Sequence, residues 1–172
     1  MDERSLMLVC GLENDLFQVL TDNLFPCVSC HSPSMAVQRA APGAGVLVLA
    51  DGYPESGPAI TADVLALARH KRLRMYVEYP TQFAGLTLES PRGVKWERAV
   101  VSSDAFGEQL APGRILGIHA CRYVPTEAER THIALARVAG FDTAIFGLSA
   151  DNVHPILFEL TEQPVLVATT RL

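Results

Sequence analysis

Through residue 80 the chain alternates short apolar runs with stretches of helical spacing, and this alternation restricts the fold more than any other feature. "SLMLVC" (5–10) opens after charges and is followed by Gly11 and "ENDLFQVLTDNLF", in which Leu16, Val19, Leu20 and Leu24 recur at helical spacing. "PCVSC" (26–30) reads as a second strand, and a short helix begins at Pro33 and is ended by Pro42 and Gly43. "GVLVLADGYPESG" (45–57) puts five apolar residues, Val46 to Ala50, ahead of turn residues, the pattern of a strand covered on both faces that runs out into a loop. Pro58 to Lys71 carries Ile60, Val64, Leu67 and Ala68 on one helical stripe, and "LRMYVEYP" (73–80) is the next strand. Strands joined by helices imply right-handed crossovers and a parallel sheet.

Beyond residue 80 the pattern changes. Residues 81–95 read as loop, followed by two apolar runs, "WERAVVSS" (96–103) and "GRILGIHAC" (113–121). "THIALARVAGFDTAIFGL" (131–148) and "HPILFELTEQPVLVATT" (154–170) each place two apolar segments around a turn, the spacing of antiparallel hairpins. A capping box from Thr126 to Glu129 offers a helix over 127–138 instead, while the β-branched residues flanking the turn favour strand.

A chain of 172 residues is expected to form one domain, 1–172. With 49% hydrophobic and 19% charged residues, much of its apolar surface must be buried on both sides of some element, as in a covered sheet. Fourteen basic residues stand scattered against nineteen acidic ones, so no cationic face for nucleic acid is expected. No apolar run approaches the roughly 18 residues that span a bilayer, and "MDERSLMLVC" is too short in its apolar part for a signal peptide. The chain is expected to be soluble, without a membrane partner. Its parent protein is open to either a cytoplasmic or an exported location.

"FPCVSCHSP" (25–33) holds Cys27, Cys30 and His31 as C-x-x-C-H, the spelling of a haem attachment, a redox dithiol or half a zinc site. Three residues apart on a strand, the two cysteines face opposite ways. Cys10 and Cys121 are isolated and complete no zinc pair. Buried structural thiols are the expectation, with no metal and no cofactor.

In open α/β sheets, ligands sit outside the carboxyl ends of the strands. The residues expected there are Cys10 and Gly11, then Asp51, Gly52 and Tyr53, then Glu78 and Tyr79, and His119 to Arg122. A carboxylate, a histidine, a thiol and an arginine suit acid–base or nucleophilic work. Asp-Gly-Tyr-Pro is equally ordinary turn chemistry.

The stretch "GVLVLADGYPESGPAITADVLALARHKRLRMYVEYP", after a strand, helix and strand, resembles the central part of the class I glutamine amidotransferase-like superfamily. The resemblance implies a three-layer α/β sandwich with a mostly parallel, flavodoxin-like sheet and, here, antiparallel C-terminal hairpins. Active members carry a cysteine on a Gly-x-Cys-x-Gly elbow and a later His-Pro-Glu. Here "VEYPT" puts Glu78 or Tyr79 at the elbow, and the alternative "ILGIHACRY" puts His119 there with Cys121 in place of a glycine. "VHPILFE" has Ile156 at the acid position, and Glu159 lies an odd number of residues from His154, on the opposite face of a strand. The resemblance therefore implies a non-catalytic auxiliary or assembly domain, similar to the trimerisation domains of some β-galactosidases, excised from a larger carbohydrate-processing protein. Its partner would be a neighbouring domain or a second copy. The alternative is a small thiol hydrolase using Cys121 or Cys10 with His119, and Glu78 as the third group.

Overall fold

The structure is a computed structural model that describes residues 5–149 and 151–172; the charged start of the chain, residues 1–4, lies outside them. Strand β1 (Leu6–Val9) leads through helix α1 (Asp15–Asp22) to β2 (Cys27–Cys30), and helix α2 (Pro33–Arg39) leads to β3 (Gly45–Val48). Then come β4 (Ala59–Ile60), α3 (Ala62–His70), β5 (Arg74–Glu78), β6 (Gln82–Phe83), β7 (Arg92–Gly93) and β8 (Arg98–Val101). The remaining strands are β9 (Ile115–Leu116), β10 (Arg122–Tyr123), β11 (Arg130–Ala136), β12 (His154–Glu159) and β13 (Val165–Ala168).

Each helix start has a local cause. The Asn14 side chain accepts from the N–H groups of Leu16 and Phe17, and that of Ser32 from Met35 just after Pro33 fixes the first turn. Helix α3 starts at Ala62 rather than near Pro58, because residues 59–60 pair with Gln82–Phe83 as a strand. The Lys71 ammonium closes α2 by donating to the carbonyls of Val37, Gln38 and Ala40 at 3.0, 2.6 and 2.9 Å.

The main sheet has nine strands in the order β2-β1-β3-β5-β13-β12-β11-β8-β9. The first five run parallel, as the alternation through residue 80 implies for β2, β1, β3 and β5. Every pairing from β13 to β9 is antiparallel. The expected three-layer, mostly parallel, flavodoxin-like α/β sandwich is thus overturned: among the described residues, three helices serve a sheet that is half antiparallel. Hairpins and loops connect the second half, so it receives no crossover helices.

Two further expectations change. The segment around "AGFD" forms no hairpin: β11 pairs with β12 and β8, and Thr143 makes a single bridge to Arg114. The hairpin around "TEQ" does form, but β13 inserts between β5 and β12, so the C-terminal strands are central and the edges are β2 and β9. The open choice over 127–138 is settled as strand, β11.

Register separates the faces of the parallel half. Met7, Val46, Met75 and Val165 share one row, and this face packs against Ala36 and Val37 of α2 and Val64, Leu65 and Ala68 of α3. Val46, Val48, Val77 and Val167 are wholly buried there, each contributing roughly 1.5–3 kcal/mol. On the other face the row Leu8, Leu47, Tyr76 and Leu166 has little cover; Leu8 is buried, while Leu47, Tyr76 and Leu166 remain partly open.

Candidate functional site

The carboxyl ends of β1 and β3 are tied together by Asp51. One carboxylate oxygen accepts the N–H of Gly11 and the other accepts Asn14 Nδ2 at 2.6 Å. Because Asn14 also caps α1, Asp51 fixes the turn that aims this helix. Between these strands lies a cavity of about 330 Å³, reached by Cys10, Cys30, His31, Asp51 and Ser56. Burial, then the negative charges of Asp51 and Cys27, push the Cys10 thiol up to about 11. Burial also raises Cys27 and Cys30. Cys27 pairs with Leu6 and Cys30 with Val9, so the two sulfurs face opposite sides of the sheet.

Glu78, expected on an open rim, is 5% exposed and fully engaged. It accepts the N–H of Ala50 at 3.1 Å, the Tyr76 hydroxyl at 3.2 Å and the N–H of Leu172 at 3.1 Å. Burial, followed by the Glu78 charge, drives the Tyr76 phenol far above its ordinary range. Next to it, Tyr79 adopts φ +44°, the left-handed bend that a nucleophile elbow requires. The residue on that bend is a completely buried tyrosine whose hydroxyl donates to the Pro54 carbonyl at 3.1 Å. The Gly57 backbone lies so close that a Cβ there would stand 1.8 Å from the Tyr79 carbonyl oxygen. Tyr53 meets the Tyr79 ring edge-on at 4.8 Å.

The segment from His119 to Arg122 reaches this rim through Tyr53. The Tyr53 hydroxyl accepts the N–H of Arg122 at 2.6 Å and donates to its carbonyl at 3.2 Å, and Thr170 Oγ1 donates to the same carbonyl at 2.8 Å. The Cys121 thiol donates to the backbone carbonyl of His119 at 3.1 Å, not to its ring, and His119 is exposed. The suggested grouping of Cys121, His119 and Glu78 is therefore not assembled, since Glu78 is occupied elsewhere.

A second cluster escaped the sequence. Ser103 Oγ lies 2.8 Å from His132 Nδ1, His132 Nε2 lies 3.9 Å from Glu159, and Arg130 pairs with Glu159 at 3.0 Å. Glu159 thus faces His132 and Arg130, whereas His154 leans on the Tyr123 ring at 5.3 Å. Only the β11–β12 register, which sets Arg130 opposite Glu159, reveals this group. Ser102 Oγ also donates to the Thr131 carbonyl at 2.9 Å, and Phe106 meets the His132 ring edge-on, so residues 102–106 lie against β11 beside the open sheet face. There the surface hollows into a groove of about 900 Å³, floored by Leu47, Tyr76, Leu157 and Leu166 and flanked by Phe25 and Phe106.

Among the described residues no three His, Cys, Asp or Glu side chains converge as a metal-ligand set, and no helix is long and apolar enough to cross a membrane. No family model matches the chain, and no curated protein matches it.

Proposed function

We propose that the chain is a non-catalytic auxiliary domain that acts in assembly, pairing with a second copy of itself through the open sheet face. The observation that carries this is the groove over Leu47, Tyr76 and Leu166, an apolar floor on the side of the sheet that α2 and α3 leave bare. The rim chemistry supports it from the other side: Glu78 and Asp51 are held by internal donors, and the Cys10 thiol is protonated at neutral pH.

A second copy fits by apolar character. Helix α1 exposes Leu16 and Val19, and its charged residues, Asp15 and Asp22, are both acidic. The groove carries Arg74 and Arg130 against Asp104 and Glu159, with Arg130 paired to Glu159, so its charge is balanced and its apolar floor is what a partner meets. A two-fold axis between the copies would lay the exposed Leu16 and Val19 of each helix on the partner's apolar groove, a self-complementary arrangement. Sedimentation velocity over a wide concentration range tests this: a monomer–dimer equilibrium is expected, weakened at least tenfold by Val19→Asp or Phe106→Asp with unchanged far-ultraviolet circular dichroism. A monomer at every concentration overturns self-pairing and leaves a different protein as the partner.

A further inference from the structure

His154 has no part in the rim or the open groove. It faces a separate cavity of about 480 Å³ where β7, β10, the end of β11 and the start of β12 meet. Arg92 and Lys95 from one segment and Arg137 from another line this cavity with the carboxylate of Glu97, in a chain whose formal balance is −5. Such convergence of cations runs against the overall charge and marks a local positive field.

Glu97 does not cancel it. Its Oε1 accepts Arg137 Nε at 2.9 Å, and its Oε2 accepts the N–H groups of Lys95 and Trp96 at 2.9 and 3.1 Å. The carboxylate is thus a post that holds one edge of the Arg137 guanidinium and leaves its other N–H donors without a partner among the described residues. Arg92 is steadied in the same way by Glu89. The Lys95 ammonium has neither an ion pair nor a hydrogen bond among the described residues. The Tyr123 ring, with His154 tilted against it, forms an aromatic wall, and Asn152 adds an amide.

We propose that this cavity binds a small phosphate monoester, its phosphate held by Lys95, Arg92 and Arg137 and its organic part lying against Tyr123 and His154. Guanidinium groups fixed at one edge are suited to bidentate contact with a tetrahedral oxyanion, and Lys95, without a carboxylate partner among the described residues, adds a point charge. The volume falls in the range of roughly 300–1,000 Å³ usual for ligand pockets.

Titration with phenyl phosphate, inorganic phosphate and benzoate, followed by calorimetry and by the fluorescence of Trp96, the sole tryptophan and the neighbour of Lys95, tests the site. Phenyl phosphate is expected to saturate the protein at least tenfold more tightly than either of the other probes, and added salt to weaken it. Lys95→Gln, an exposed residue with no internal bond to lose, is expected to weaken binding at least fivefold with an unchanged circular dichroism spectrum; Arg137→Gln should act in the same direction. Absence of saturable binding, equal affinity for benzoate, or unchanged affinity in Lys95→Gln overturns the proposal.

Discussion

The Tyr53 hydroxyl and the backbone of Arg122, 69 residues apart, exchange two hydrogen bonds, one at 2.6 Å into the hydroxyl and one at 3.2 Å out of it. This pair joins the parallel half of the molecule to the segment that precedes β11. Tyr53→Phe keeps the ring contact with Tyr79 and removes both bonds, leaving the Arg122 N–H without its partner. Because Arg122 is exposed and water can replace the lost partner, the expected loss is about 0.5–1.5 kcal/mol, read as a shift in the urea midpoint at constant slope.

Gly57 is where the backbone itself has no room. A Cβ would stand 1.8 Å from the Tyr79 carbonyl oxygen, whereas Gly117 has nothing within 4 Å. Gly57→Ala is expected to cost more than about 2 kcal/mol, and Gly117→Ala to fall within about 0.5 kcal/mol of the parent, both by chemical denaturation.

The Cys10 thiol provides a test of the non-catalytic reading that is independent of self-association. With its ionisation pushed up to about 11, its thiolate population at pH 7 is about a hundredfold below that of an ordinary thiol. Iodoacetamide should label Cys10 more slowly than a denatured control at pH 7. Rapid labelling of Cys10 or Cys121 that His119→Ala abolishes would restore the thiol hydrolase. The sign for stability follows from the raised value: the contribution is full below the ordinary thiol value of 9.0 and is lost as pH rises from there towards 11.

Glu97 behaves in the opposite sense. The N–H groups of Lys95 and Trp96 and the guanidinium of Arg137 hold its carboxyl down at about 2, below the ordinary 4.5. Its contribution is complete above pH 4.5 and is lost as pH falls towards 2. The denaturation midpoint should fall over that interval in the parent, and less steeply in Glu97→Gln.

The N-terminal half was legible because its periods are local. Alternation of helical and strand spacing places β1, α1, β2, α2, β3 and β5, and the rule that ligand rims lie at carboxyl ends brings Gly11 and Asp51 to one place. Pairing between distant strands has no such signal. Nothing in "PVLVATT" says that this strand lies between β5 and β12, and nothing around Glu159 says that Arg130 will stand opposite it. The failed hairpin has a different cause. Phe141, Ile145 and Phe146 are apolar enough to read as strand, yet they are 85%, 69% and 86% exposed, so their hydrophobicity signals a burial that the fold does not provide.

The central place of β13 has a consequence for how the chain reaches its native state. β13 alone links β5 to β12, so the parallel and antiparallel halves share no ladder until Val165–Ala168 is in place. During synthesis the first half must wait, with one flank of β5 unpaired, until residues 165–168 have emerged, 87 residues after Glu78 ends β5. Slow, late closure of this kind follows from contacts so distant in sequence, and it makes that flank the place where a stray strand would be captured.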